Sequence, residues 1–373
     1  MCDVAIVCGA GMISGKEVMT LELVRGLREQ GKTVDVVTSF WGEREFRSRC
    51  EKLGARVHMM RLGFISATVS WPAIRMTLHQ LLHWPGALIA YSRFLKRTAP
   101  RKIIHTNWHH LLLLGPLLKP HRDVFWVHEV IPNNPRYRKF FLWLARRLQC
   151  FVAVSEAVAG SLRKIDIDQK NIRVVHNGIR DPAGDFEPAR SERDKLVVGI
   201  VGQVGARKGH EDLLEAFAIA ASEFAAAELH LFGQAPTEYI EYLRDRARQL
   251  GIGEKIVWHG FVGDRTEIYR EMDVCVVPSR VEEPLPTVAI EAAFFSIPVV
   301  ATRQGGLSEI VEDAVTGFLV EASQPAEIAS RLKMLLSDEA LRRGMGENAR
   351  RRAIERFNSK RFIEDFLEVM EEK

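Results

Sequence analysis

Leu196-Val197-Val198-Gly199-Ile200-Val201-Gly202-Gln203-Val204-Gly205-Ala206-Arg207-Lys208-Gly209-His210-Glu211 is the stretch from which the fold can be read. Its first six residues are an uninterrupted apolar run rich in Val and Ile, the pattern of a strand buried on both faces. The glycines that follow mark a loop. A helix then starts near Glu211, with Leu213, Leu214 and Phe217 on one face. Strand, glycine loop and helix in that order open a parallel α/β unit. A glycine loop carrying a lysine at a helix N-terminus is also a small pyrophosphate site, because backbone N–H groups, the helix dipole and a side-chain cation converge there. It is not a Walker loop, since the spacing and the Lys-Ser/Thr pair are missing.

The same alternation runs through the whole chain. On the N-terminal side, strands are expected at Val4–Cys8, Thr33–Thr38, Val57–Met60, Ile103–Thr106, Val124–His128 and Phe151–Val154, separated by helical segments such as Lys16–Gln30. On the C-terminal side, Leu229–Phe232, Lys255–Trp258, Val274–Val277, Pro298–Ala301 and Phe318–Val320 continue the series. Three helical patterns close the chain from about Gln324, the last of them Arg361–Glu371. Asn177-Gly178-Ile179-Arg180-Asp181-Pro182-Ala183-Gly184 reads as a linker. At 373 residues, two domains are the natural expectation. Two doubly wound parallel sheets would offer their strand C-termini to a shared cleft, where open α/β sheets bind ligands.

Composition fits a globular protein, with 47% hydrophobic and 27% charged residues. No apolar run reaches the roughly 18 residues of a membrane span. The N-terminus reads directly as a strand without a basic leader, so no signal peptide is expected. Cys2, Cys8, Cys50, Cys150 and Cys275 are odd in number and scattered, which favours free thiols and a cytoplasmic location. The net charge of +4 hides an asymmetry. Residues 1–180 carry 28 Lys+Arg against 13 Asp+Glu, and residues 181–373 carry 24 against 35. A basic half attracts anionic partners.

Three further constellations bear on chemistry. Glu283 and Glu291 lie eight apart in Glu283-Pro284-Leu285-Pro286-Thr287-Val288-Ala289-Ile290-Glu291-Ala292. The prolines place Glu283 in a loop, and a helix from Thr287 to Phe295 would carry Glu291 in its second turn. Two carboxylates beside a helix N-terminus suit a ligand with both hydroxyls and phosphates, such as a nucleotide sugar. Gln304-Gly305-Gly306-Leu307-Ser308-Glu309 sets a glycine pair ahead of a short helix. Gly9-Ala10-Gly11-Met12-Ile13-Ser14-Gly15 follows the first strand. A dinucleotide fingerprint there would need an acid ending the second strand; Asp35 is internal to that strand, which argues against nicotinamide binding.

Taken in order, Gly202…Lys208-Gly209, Gly233, Phe261, Glu283-x7-Glu291-Ala292 and Gly305-Gly306-x-x-Glu309 resemble the pattern of family 4 glycosyltransferases. Val152-Ala153-Val154-Ser155-Glu156 and Val174-Val175-His176-Asn177-Gly178-Ile179 resemble its mid-chain markers, so the likeness covers nearly the whole chain. The resemblance implies a GT-B fold. Residues 1–180 would be an acceptor-binding Rossmann-like domain, residues 181–356 a nucleotide-sugar domain, and a last helix of about 357–373 would pack back on the first domain. It implies a hexosyltransferase that retains anomeric configuration and needs neither cofactor nor metal, with the departing phosphate taking the acceptor's proton. Glu291 would bind the donor ribose, Glu283 the sugar ring, Lys208 the diphosphate, and backbone near Phe261 the base. The implied donor-binding set is Gln203, Arg207, Lys208, Gly233, Phe261, Glu283, Leu285, Pro286, Thr287 and Glu291. Gly11, Gly15, Lys16 and His109 would meet the acceptor. His128, in Trp126-Val127-His128-Glu129, matches the family's histidine near the reacting sugar and joins Glu283 and Lys208 as catalytic candidates.

The chain departs from the family at two places. An arginine is usual five residues before the lysine; Gln203 stands there, and Arg207 is the candidate replacement. Glycine is frequent where Pro286 stands, and proline removes one N–H from the sugar's surroundings. His105 and His109 do not make a metal site, because no Asp, Glu or Cys completes one at suitable spacing. Residues 61–100 mix Phe64, Trp71, Trp84, Tyr91 and Phe94 with Arg61, Arg75, Arg93, Lys96 and Arg97, and Arg136–Arg147 does the same with Phe140, Phe141 and Trp143. Helices with a solvated basic face would give this pattern. So would a surface resting on an anionic membrane beside a lipid-linked acceptor. The expected partners are a nucleotide-sugar donor and a glycan or lipid-linked acceptor of envelope or exported polysaccharide synthesis, with no nucleic-acid motif. A soluble small acceptor, or a non-catalytic nucleotide-sugar-binding subunit, is the alternative.

Overall fold

The computed structural model describes residues 2–9, 13–41, 44–63, 71–184 and 195–372. It divides into two units, 1–178 with 359–373, and 179–358. In the first unit β1 (Val4–Val7), α1 (Gly15–Glu29), β2 (Val34–Ser39), α2 (Arg44–Lys52), β3 (Arg56–Met60), α3 (Trp71–Thr98), β4 (Lys102–His105), α4 (Trp108–Leu114), β5 (Asp123–Val127), α5 (Pro135–Ala145), β6 (Phe151–Ala153), α6 (Glu156–Lys164) and β7 (Ile172–Val174) follow one another. The second unit holds β8 (Leu196–Val201), α7 (His210–Ala221), β9 (Ala227–Phe232), α8 (Thr237–Gln249), β10 (Ile256–Gly260), α9 (Arg265–Tyr269), β11 (Val274–Val277), α10 (Thr287–Phe294), β12 (Val299–Thr302), α11 (Leu307–Ile310), β13 (Gly317–Val320), α12 (Pro325–Ser337) and α13 (Glu339–Arg356). Helix α14 (Ser359–Glu371) then returns to the first unit.

Both sheets are parallel, ordered β3-β2-β1-β4-β5-β6-β7 and β10-β9-β8-β11-β12-β13. Most of their strands are short, buried and rich in Val and Ile, as expected where helices cover both faces, while β3, β7 and β10 at the sheet edges are only partly buried. In each sheet the order reverses beside the first strand, between β1 and β4 and between β8 and β11. Loops leaving the C-terminal ends of those strands diverge there and open a crevice. Both glycine loops of the sequence, after β1 and after β8, therefore start at a switch point.

Some boundaries differ from expectation in ways that matter. β5 ends at Val127, so His128 is the first residue beyond the sheet rather than part of it. β10 runs on to Gly260 through a register shift between Trp258 and Gly260, which brings Phe261 directly after the strand. Ile179 stays with the second unit because its N–H donates to the Phe357 carbonyl and its backbone bridges Asn358. β7 pairs with the end of the first sheet and had no expected counterpart; three residues are too few for a periodicity to register.

Candidate functional site

In the second unit the sequence places Lys208 where backbone packing leaves little freedom. Gly209, at φ +71°, caps the turn Ala206–Lys208 and opens α7, and a Cβ there would lie 1.9 Å from the Pro278 carbonyl oxygen. Only glycine lets the β8 loop close on the β11 loop so tightly. The Arg280 N–H donates to the Arg207 carbonyl (2.9 Å) and ties the loops a second time. Across this junction Lys208 Nζ donates to Glu283 Oε1 at 2.7 Å, and Ser279 Oγ donates to the same oxygen at 2.8 Å. Glu283 is buried, with Lys208 partly open to solvent. The Gly306 N–H holds the Glu283 carbonyl at 2.8 Å, and a Cβ on Gly305 would lie 2.3 Å from that oxygen. The glycine pair therefore serves close approach of the β12 loop to the carboxylate loop.

Glu291 sits in the second turn of α10, buried against α9. Arg265 Nε lies 3.0 Å from its Oε1, and the Tyr269 hydroxyl donates to Oε2 at 3.1 Å. Burial pushes the Glu291 carboxyl above its usual range, opposed by Arg265 and by hydrogen bonds from Tyr269 and Thr287. Pro286 is the residue before α10 and contributes no N–H; Leu285 is buried.

Gly233 follows β9, and a Cβ there would lie 1.8 Å from the Gly202 carbonyl oxygen, so the exits of β8 and β9 touch. Its N–H donates to the Gly260 carbonyl at 2.7 Å, bringing Phe261 beside them with a ring that is 73% exposed. Gln203 and Arg207 are exposed on the β8 loop. Arg280 is no substitute for the family's missing arginine: Asp212 grips its guanidinium through two oxygens at 2.8 and 2.7 Å.

In the first unit the candidates collect where β1, β4 and β5 end. Gly15 begins α1 and an added Cβ would meet nothing within 4 Å, whereas a Cβ on Gly9 would lie 2.1 Å from the His110 ring. The glycines of this loop thus split, Gly9 serving packing and Gly15 leaving open space. Gly11 lies outside the described residues. Ser14 N–H and Oγ both donate to Glu17, fixing the first turn from which Lys16 projects. Asn107 caps α4 by accepting from the His109 N–H at 3.0 Å, and the His109 ring stacks on Trp108 at 3.5 Å. His128 packs its ring on Trp126 (4.1 Å), and its Nε2 is covered with no hydrogen-bond partner among the described residues. Burial, and then the charge of Lys16, push this imidazole well below its usual range, so it is neutral at pH 7.

Asp35 and His105 are committed elsewhere. Asp35 accepts from Arg56 and from His58 inside β2–β3, and His105 pairs with Asp123 at 2.8 Å within the sheet. Among the described residues no group of three or more His, Cys, Asp or Glu could hold a metal ion, and no helix is long and apolar enough to cross a membrane.

The aromatic surface needs correction. Tyr91, Phe94 and Phe141 are core residues, and Phe64 lies outside the described residues. Trp71 (79%) and Trp84 (36%) are exposed as expected, but the stripe on α3 that Trp71 heads is mainly aliphatic: Leu78 (60%), Leu82 (76%) and Ile89 (53%). The sequence reading also missed Arg265, Tyr269 and Ser279. Ser279 had a signal, lying two residues past an apolar strand. Arg265 had none, because nothing in the sequence links it to a glutamate 26 positions away.

Two family models match the chain: "Glycosyltransferase Family 4" over residues 13–181 and "Glycosyl transferases group 1" over residues 184–352. A capsular polysaccharide biosynthesis glycosyltransferase of Staphylococcus aureus is 28% identical over 63% of this chain and 65% of its own length. A D-inositol 3-phosphate glycosyltransferase of Corynebacterium jeikeium is 26% identical over 91% of this chain and 88% of its own length. Against the capsular protein and several other relatives the match spans only about half to two thirds of the relative's length. Among solved structures, Anabaena HepE in complex with UDP and glucose superposes with a TM-score of 0.80 over 100% of both chains at 18% identity. With two parallel α/β units, and with the two family models between them spanning nearly the whole chain, this protein belongs to the family 4-type glycosyltransferases of the GT-B fold.

Proposed function

We propose that this chain moves a sugar, with retention of anomeric configuration, from a nucleoside diphosphate sugar to a glycan or lipid-linked acceptor. One observation carries the donor side: Lys208 and Glu283 meet at 2.7 Å where the loops of β8 and β11 converge at the switch point of the second sheet. A cation for phosphate and a carboxylate for sugar hydroxyls stand together there. In the proposed reaction the bond from the anomeric carbon to the diphosphate oxygen breaks, and the acceptor oxygen bonds to that carbon. The acceptor's proton passes to the departing diphosphate. Lys208 stabilises the charge that grows on the leaving group. Glu283 holds the sugar hydroxyls while the ring becomes oxocarbenium-like. His128 is a catalytic candidate by the family resemblance alone, and being neutral it would add no positive charge beside a developing cation. Gly15, Lys16 and His109 form the acceptor side.

A lipid-linked acceptor at an anionic membrane is supported by α3. Its exposed Trp71, Leu78, Leu82 and Ile89 share one face at helical spacing, and the helix carries Arg75, Arg93, Lys96 and Arg97 but no Asp or Glu. The likeness to an inositol phosphate glycosyltransferase over most of the chain favours a second reading, a small soluble acceptor.

The test is thermal melting with uridine, guanosine and adenosine diphosphate sugars, followed by transfer assays to lipid-linked and soluble acceptors. A donor at 100 times its Kd adds about 2.7 kcal/mol to stability. Stabilisation by one base class, and a product with the donor's anomeric configuration by NMR, are expected. No stabilisation by any of the three sinks the proposal.

A further inference from the structure

We infer that Arg265, on α9, is a positioning residue for the donor's ribose: it holds the buried Glu291 carboxylate in place and charged, so that its free lone pairs can accept the ribose hydroxyls. This rests on the reading of Glu291 as the ribose ligand. The geometry is specific. Arg265 Nε meets Glu291 Oε1 at 3.0 Å, and the Tyr269 hydroxyl takes Oε2 at 3.1 Å from the same short helix. The two contacts fix both oxygens of the carboxylate. A carboxylate offers about four lone-pair sites, so contacts from Arg265, Tyr269 and Thr287 still leave room for a ribose hydroxyl. Tyr269 is itself immobile, fully buried with its ring stacked on Phe295 at 5.3 Å and its hydroxyl 3.2 Å from the Val288 carbonyl.

Ionisation is the second half of the argument. A carboxyl this buried favours its neutral form unless a cation stands beside it. The charged and titratable groups facing it are Arg265 and Tyr269 from α9 and Cys275 from β11, with the Thr287 hydroxyl on its own helix. Burial holds the Tyr269 phenol far above its usual range and the Cys275 thiol at about 12, so neither is charged near neutrality. Arg265 is therefore the cation that keeps Glu291 an acceptor. A protonated Glu291 would have one oxygen turned into a donor and would lose its grip on a diol.

The experiment is calorimetric titration with uridine, guanosine and adenosine diphosphate from pH 6 to 8.5. The tightest of the three is repeated as its 2′-deoxy analogue. Wild type should prefer the ribonucleotide across that range. R265Q should bind it about tenfold more weakly near pH 6, the lower value of one charge-assisted hydrogen bond, and recover toward pH 8.5 as Glu291 ionises. Its affinity for the deoxy analogue should change less, and R265K should restore most of the preference at low pH. Unlike a structural defect, these effects depend on pH and on the 2′-hydroxyl. R265Q and R265K that both bind like wild type at every pH, or that bind more tightly, would overturn the inference while a weakened E291Q upheld the ribose reading. If E291Q also bound like wild type, the ribose reading and the inference would fall together.

Discussion

At the scale of single residues, the pairing of Lys208 with Glu283 sets the sharpest expectation. Without a donor the two side chains satisfy each other, and Ser279 shares the load on Oε1. A diphosphate must compete with Glu283 for the ammonium, so Lys208→Ala removes a cation from the ligand and leaves a buried carboxylate underpaired. Hydrogen bonds to charged groups are worth about 1.5–3 kcal/mol, so nucleoside diphosphate affinity should fall roughly 10- to 100-fold. Glu283→Gln frees Lys208 and keeps the shape. It should bind the bare diphosphate at least as well as wild type, while turnover of the diphosphate sugar collapses. Calorimetry with the diphosphate beside steady-state kinetics separates the two; equal losses of affinity in both variants would refute this division of labour. His128 gives a second expectation. Its imidazole is already neutral at pH 7, so the rate should not fall as pH rises from 6.5 to 8 through a normal histidine pKa. His128→Asn should lower kcat while leaving the pH profile flat, whereas a titration near 6.5 that vanished in the variant would contradict the neutral assignment.

At the scale of elements, α3 is the helix whose sequence and surroundings disagree most. Gln80, Ala87, Tyr91 and Phe94 form one buried face, while Trp71, Leu78, Leu82 and Ile89 lie exposed on the other. Among the described residues nothing covers the second apolar side of this helix. An anionic bilayer fits, since each Lys or Arg near such a surface contributes about 1 kcal/mol. Flotation with phosphatidylglycerol vesicles should carry the protein up at low salt, and phosphatidylcholine vesicles should not. Leu78→Glu with Leu82→Glu should abolish flotation without changing the melting temperature; unchanged flotation would remove α3 as the contact. The same helix shows what the sequence could express. Helical spacing made the element legible, but spacing says only that two faces exist, and the sequence reading chose the aromatic residues, two of which are core. Elsewhere more was legible. The strand, glycine loop and lysine after Leu196 were readable because each step rests on local backbone chemistry. The Lys208–Glu283 contact bridges residues 75 apart in sequence, so motif order could suggest it but no spacing could give its geometry. Arg265 was invisible for the same reason, without a motif to compensate.

At the scale of the whole molecule, the chain leaves the first unit after Gly178 and returns at Ser359, so that unit is completed only by the last fifteen residues. Helix α14 buries Phe362, Ile363, Phe366, Val369 and Met370. Phe362 and Phe366 flank Trp126, with ring centroids 5.7 and 5.0 Å away. Gly26 of α1 admits the helix because a Cβ there would lie 2.2 Å from Ile363 Cγ1. Polar contacts finish the seam: Arg173 pairs with Glu372 at 2.7 Å, and Gln149 Nε2 donates to the Val369 carbonyl at 3.1 Å. Burying an apolar side chain of this size contributes about 1.5–3 kcal/mol. Five of them rival the whole margin of a domain, about 5–15 kcal/mol. Phe366→Ala should therefore cost about 3–5 kcal/mol. Deletion from Ser359 onward should abolish cooperative melting of the first unit. The second unit, continuous from Ile179 to Asn358, loses none of its own residues and should keep a calorimetric transition that a nucleoside diphosphate still raises. A truncated protein that melted as two intact transitions would show that α14 is an appendage rather than a part of the first core.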